Sequence, residues 1–209
     1  MRVELQDVGK RYRYEWVLRN LTATFQGGKQ YAISGPNGSG KSTLLRILSG
    51  HLSPSKGSIS FYQGSERLDI SDVYRHLSYA APYIELIEAL TLREAIRFQG
   101  RFKPLLQNLN TEQLIDLLDL RRARDKQIRN FSSGMKQRVK LGLAICADSD
   151  LLLLDEPTSN LDEQGIRWYR DLIQRFSGDR LVIIASNASV DFDFCQERLQ
   201  VTDFKKRKR

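Results

Sequence analysis

Tyr31-Ala32-Ile33-Ser34-Gly35-Pro36-Asn37-Gly38-Ser39-Gly40-Lys41-Ser42-Thr43 is the stretch that decides the fold. Its first four residues read as a short buried strand, and a glycine-rich run comes at once after them. From Lys41 to Ser49 the apolar Leu44, Leu45, Ile47 and Leu48 recur at helical spacing, and Gly50 ends the pattern. Residues 35–42 fit G-x-x-x-x-G-K-[ST] between that strand and that helix. Each element of the pattern has a physical task. The glycines let backbone N–H groups close around polyphosphate, and the helix adds its positive end. Lys41 supplies a point charge, and the Ser42 hydroxyl is placed to ligate Mg²⁺. Gly35, Pro36, Asn37, Gly38, Ser39, Gly40, Lys41, Ser42 and Thr43 are therefore expected to bind nucleotide phosphates.

A second apolar run, Leu151-Leu152-Leu153-Leu154, ends in Asp155-Glu156-Pro157. Strands buried on both faces read this way, and parallel sheets bind ligands at the carboxyl ends of their strands. Asp155 is thus expected to hold Mg²⁺ together with Ser42, and Glu156 to polarise an attacking water. A comparable run spans 181–185, and a helix is expected between the two, over about 163–176.

Toward the start, residues 2–8 and 17–25 alternate like paired strands around Arg11-Tyr12-Arg13-Tyr14, and 57–62 and 77–81 look like further strands. The middle is helical. Leu92, Ala95 and Ile96, then Leu114, Ile115, Leu117 and Leu118, fall at helical spacing; Thr91 with Glu94 forms a capping-box pattern, and Thr111 is a candidate second N-cap. Another helix is expected from Ser132 or Ser133 through Ile145. The pattern predicts an α/β fold: a P-loop core with a mainly parallel sheet, an N-terminal antiparallel β region and a helical subdomain insert. One domain is expected over 1–209, its core lobe at about 1–81 and 148–204, its helical lobe at about 82–147, and a basic tail at 205–209.

The chain carries a net charge of +8, but five positive charges lie in Lys205-Lys206-Arg207-Lys208-Arg209. Such an end reads as solvated, with anionic lipid contact as the sharper alternative; nucleic acid is not an expected partner. Cys146 and Cys195 have no metal-type spacing, which suggests reduced thiols. With Met1 leading straight into Arg2-Val3-Glu4-Leu5, no signal peptide is expected, and no apolar run approaches the ~20 residues of a spanning helix. His51 and His76 are expected to be ordinary surface or loop residues, and Arg121-Arg122-Ala123-Arg124 a solvated helix end.

Phe131-Ser132-Ser133-Gly134-Met135-Lys136-Gln137-Arg138 resembles the signature motif, L-S-G-G-Q-x-Q-R, of ATP-binding cassette ATPases. Ser159-Asn160-Leu161-Asp162 resembles that family's D-loop, and the wording of 35–43 is the one the family favours. The resemblance runs from Tyr12 to about Asn187 and implies ATP and Mg²⁺ as cofactors. It also implies adenine stacking on Tyr12, and a homodimer or heterodimer with another such ATPase in which Ser132, Ser133 and Gly134 of one copy close over ATP at Lys41 of the other. Integral-membrane permease subunits would be the partners, with the chain peripheral on the cytoplasmic face of the cell membrane.

The family's glutamine after the strand around Tyr79 aligns with Pro82, and its histidine near the γ-phosphate aligns with Ser186-Asn187. Asn187 can donate a hydrogen bond there but cannot titrate. Met135 replaces a signature glutamine. With Lys41, Glu156 and Asn187 as the catalytic set, slow or partner-dependent hydrolysis is expected. Alternatives are a cassette ATPase acting on nucleic acid or ribosomes, and a nucleotide-responsive regulatory module; a small kinase would leave residues 131–138 unexplained.

Overall fold

The structure, a computed structural model, describes residues 1–205. The basic run at 206–209, on which most of the expected lipid-contacting tail falls, lies outside the described residues. Two compact units are present. The first takes in Met1–Tyr79, Asp150–Glu156 and the chain from Asp179 onward; the second takes in Ala80–Ser149 and Pro157–Gly178. The helical unit therefore holds more than the insert expected from sequence, since the helix at Glu163–Phe176 groups with it.

In the first unit, β1 (Arg2–Tyr12) and β2 (Glu15–Gln26) form the expected hairpin, extended mainly toward its turn. Its turn places Arg13 at φ 52°. With β4 (Lys56–Gln63) and β5 (Glu66–Leu68) they make an antiparallel sheet ordered β2-β1-β4-β5. A short helix α2 (Val73–His76) leads into β6 (Leu77–Ala80). The second sheet is ordered β6-β7-β8-β3-β9, with β3 at Gln30–Ser34, β7 at Leu151–Asp155, β8 at Leu181–Ser186 and β9 at Glu197–Gln200. Every residue of β7 and β8 is buried, as their continuous apolar runs require of central parallel strands.

Register fixes where the chemistry stands. Asp155 lies opposite Ala185, Ser34 opposite Ser186, and Ser34 also opposite Gln200. The carboxyl ends of β7, β8, β3 and β9 thus come level along one edge. Helix α1 (Lys41–Leu48) comes directly after the glycine-rich loop and buries Leu44, Leu45, Ile47 and Leu48 in a core shared with Val3, Phe25 and Leu153.

The second unit is helical: α3 (Leu92–Gly100), α4 (Thr111–Leu117), α5 (Ser133–Ile145) and α6 (Glu163–Phe176). Thr91 and Glu94 form the expected capping box on α3. The cap of α4 is Asn110 rather than Thr111: the Asn110 side chain accepts from Gln113 N–H at 2.9 Å, and the Gln113 side chain accepts from Asn110 N–H at 2.8 Å. Asparagine takes the cap because it stands one residue earlier, opposite a glutamine at the third helical position. Trp168 donates to the Leu117 carbonyl at 2.6 Å, and Arg138 stacks 5.1 Å from the Trp168 ring, tying α4, α5 and α6 together.

His76 departs from expectation. Its Nδ1 lies 2.6 Å from Asp150 Oδ2, and Gln63 donates to the other carboxylate oxygen at 3.1 Å. Burial works to raise the Asp150 carboxyl, but these two partners outweigh it and hold it below its ordinary range. Both cysteines are buried and neither forms a disulfide, and burial pushes the Cys195 thiol up to about 12. Among the described residues no helix is long and apolar enough to cross a membrane.

Candidate functional site

The loop between β3 and α1 needs its glycines. Gly35, Gly38 and Gly40 all have positive φ, and a Cβ on Gly40 would meet Val17 Cγ1 at 2.8 Å. Gly40 is the N-cap of α1 with no side chain to bond the first-turn N–H groups, which leaves them for a ligand. Residues 37–43 line a cleft of about 400 Å³ together with Val17 and Glu156. Tyr12 stands at the hairpin end of β1, its ring half exposed and 5.6 Å from Lys10 Nζ.

Lys41 is only 5% exposed. Its Nζ donates to the Gly35 carbonyl at 2.9 Å and stands 3.3 Å from Glu156 Oε1. A buried ammonium between a carbonyl and a carboxylate is already oriented along the loop.

Glu156 comes directly after β7 in a left-handed conformation, φ 45°, with its N–H bonded to the Ala185 carbonyl at 2.8 Å. Such strain in a residue that is not glycine marks a position the fold over-determines. Ser186, fully buried at the end of β8, completes it: its hydroxyl donates to Glu156 Oε2 at 2.8 Å and accepts from Ala188 N–H at 3.0 Å. In the sequence this serine stands out only as the neighbour of Asn187. The signal that could have found it is its place at the carboxyl end of an apolar strand, level with the acids of β7. Asn187 itself donates to Asn37 Oδ1 at 2.8 Å, which brings it onto the loop.

Asp155 is 2% exposed, and neither of its carboxylate oxygens has a hydrogen-bond partner. Burial pushes its carboxyl above the ordinary range; the nearby Ser42 hydroxyl opposes this, the charge of Glu156 adds to it, and Lys41 and Arg46 oppose it more weakly. An orphaned buried carboxylate beside a hydroxyl suits a hard cation that takes its remaining ligands from phosphate and water. Among the described residues no group of three His, Cys, Asp or Glu that could hold a metal ion assembles.

In the second unit, Ser132 caps α5 by accepting from Met135 N–H at 3.2 Å, and Ser132 and Ser133 are exposed. A Cβ on Gly134 would come within 3.1 Å of the Asn160 carbonyl, so a side chain there crowds the backbone. Gln137, buried on α5, donates to the Pro157 carbonyl at 2.7 Å, a role its place in the motif does not reveal. Lys140 donates to the Pro82 carbonyl at 3.1 Å, so Pro82 contributes only its backbone oxygen there.

A glycine-rich loop, a buried lysine and two strand-end carboxylates on a parallel sheet define a nucleotide-phosphate-binding α/β cassette. The chain belongs to the ABC transporter family, whose model matches residues 18–159. It is 31% identical to the lantibiotic transport ATP-binding protein SrtF of Streptococcus pyogenes, over 88% of this chain and 79% of that one. Identity to mouse ATP-binding cassette sub-family A member 17 is 29% over 88% of this chain, which spans only 11% of that much longer protein. The fold also matches a dimeric ATP-binding cassette, MJ0796, described in a post-hydrolysis state bound to ADP and Pi. That likeness has a TM-score of 0.81 at 22% identity, covering 98% of this chain and 97% of the other.

Proposed function

We propose that the chain is the ATP-binding unit of an ABC transporter, binding and hydrolysing Mg-ATP to drive movement of a substrate by membrane-spanning partners. The observation that carries this reading is the cluster of Lys41, Asp155, Glu156 and Ser186 at the mouth of the glycine-rich loop. The loop N–H groups and Lys41 hold the β- and γ-phosphates, and Thr43 and Tyr12 serve the rest of the nucleotide, Tyr12 by stacking on adenine. Ser42 and Asp155 would hold Mg²⁺, which would supply positive charge against the phosphate oxygens. Glu156 orients a water and takes its proton as the γ-phosphorus–oxygen bond to ADP breaks, releasing ADP and inorganic phosphate. Asn187, held at Asn37, stands ready to donate to the γ-phosphate but cannot carry charge. Hydrolysis by the isolated chain is accordingly slow.

The working form is a dimer in which residues 132–134 of a second copy close over the nucleotide. The exposed serines at the capped start of α5 support this, since a helix N-terminus suits the γ-phosphate charge. The relatives named above are transport or cassette proteins, which favours permease subunits as partners and a place at the cytoplasmic face of a membrane. The basic tail at 205–209 adds contact with anionic headgroups. Sedimentation of the Glu156→Gln variant tests the dimer. With Mg-ATP it should move from monomer to dimer, and Ser133→Arg in the same background should stay monomeric; no ATP-dependent dimer sinks the reading.

A further inference from the structure

β3 and β9 are parallel neighbours whose ends come level, Ser34 opposite Gln200. The phosphate loop leaving β3 and the 3₁₀ turn Val201–Phe204 leaving β9 therefore lie side by side. That turn is anchored. Val201 is fully buried, its Cβ 3.9 Å from where a Cβ on Gly35 would stand, and Phe204 packs against the core. The Lys205 N–H closes the turn on the Thr202 carbonyl at 3.2 Å, and Lys205 Nζ donates to the Gly38 carbonyl at 2.9 Å.

The loop motif is complete with Lys41 and does not call for a second lysine. Yet the two ammonium groups take different carbonyls of the loop. Lys41 takes Gly35 at 2.9 Å and Pro36 at 3.4 Å; Lys205 takes Gly38. The peptide unit that offers its oxygen to Lys205 offers its N–H, on Ser39, to the Pro36 carbonyl at 3.1 Å. A cation at one end of an amide polarises it and strengthens the bond at the other end. Lys205 thereby stiffens the turn at Gly38, whose φ of 70° gives the chain no side chain to hold it.

We propose that Lys205 is a positioning residue of the nucleotide site. It holds the Gly38 peptide in the conformation that receives polyphosphate and adds positive charge at the outer side of the loop. The proposal rests on the ATP-binding reading above and extends it to a residue at the far end of the chain.

The test uses the full chain with Lys205→Ala and Lys205→Arg, titrated with the fluorescent analogue mant-ATP and Mg²⁺, with Lys41→Ala as the non-binding control. Lys205→Ala should weaken binding about fivefold, the size of one charge-assisted hydrogen bond at an exposed site. Lys205→Arg should stay near wild type, and the difference should shrink between about 50 and 500 mM KCl as screening grows. In turnover the loss should fall on KM rather than kcat, with the melting temperature unmoved. Binding by Lys205→Ala equal to or tighter than wild type overturns the proposal, as does an arginine variant as weak as the alanine one. A weakening matched by a drop in melting temperature overturns it too, since Lys205 would then be structural. A wild-type chain that binds no better than Lys41→Ala instead removes the ATP-binding reading itself.

Discussion

The Ser186 hydroxyl donates to Glu156 Oε2 at 2.8 Å, so the last residue of one central strand orients the acid at the end of its neighbour. The other carboxylate oxygen faces Lys41 at 3.3 Å. A carboxylate held by two different partners through its two oxygens has little freedom to rotate, and the proposed role as base would use that fixed orientation. Replacing Ser186 by alanine should lower kcat about tenfold, within the range by which a mispositioned base impairs proton transfer, and leave the Kd for Mg-ATP within about twofold. Phosphate-release kinetics beside an equilibrium titration would measure both. An unchanged kcat would show that Ser186 only fills space.

Asp155 should oppose stability while serving binding. Its native carboxyl is held above the unfolded value of 3.8, chiefly by burial, so the native state binds the proton more tightly than the unfolded chain does. The stability tied to this group is therefore fully present below pH 3.8 and is lost as pH rises through the raised native pKa. Asp155→Asn should raise metal-free stability at neutral pH by about 1 kcal/mol and abolish the gain in affinity that Mg²⁺ gives to ATP. Urea unfolding in EDTA over a pH series that starts near 3.8 and ends at neutral checks the first part, the variant's advantage growing as the pH rises.

Gln137 is buried on α5 with its amide on the Pro157 carbonyl at 2.7 Å. Gln137→Leu removes the donor and leaves a buried carbonyl unpaired, which should destabilise the chain by about 1–3 kcal/mol. The midpoint of a urea transition reads this, and a shift below about 0.5 kcal/mol would mean that water or another group takes over the carbonyl.

The cap of α4 separates two neighbouring residues. Asn110→Ala should destabilise by about 1 kcal/mol, whereas Thr111→Ala should stay within about 0.5 kcal/mol of wild type. Thermal or urea melts of the pair measure the difference, and the reverse order would return the cap to Thr111.

Local patterns carry much of the architecture. The apolar runs of β7 and β8 read directly as buried parallel strands, α6 begins and ends where its periodicity does, and the Thr91–Glu94 box forms as spaced. The cap at Asn110 is hard to read because asparagine and threonine both cap well and stand side by side. The grouping of α6 with the helical unit depends on packing against α5, which no window of sequence displays. The same limit hides three contacts that no motif names. Gln137 reaches Pro157 across 20 residues, Ser186 reaches Glu156 across 30, and Lys205 reaches Gly38 across 167. Each is a single hydrogen bond fixed by strand register or helix packing, and a motif records only what is contiguous.

In the function we propose, hydrolysis of ATP depends on Glu156 acting as the base. The decisive measurement is phosphate release by wild type and Glu156→Gln under saturating Mg-ATP, with mant-ATP binding measured on the same samples. The variant should bind Mg-ATP at least as well as wild type and release phosphate about 100-fold more slowly or less. Equal phosphate release by the two proteins would contradict this role, since the hydrolysis would then come from elsewhere.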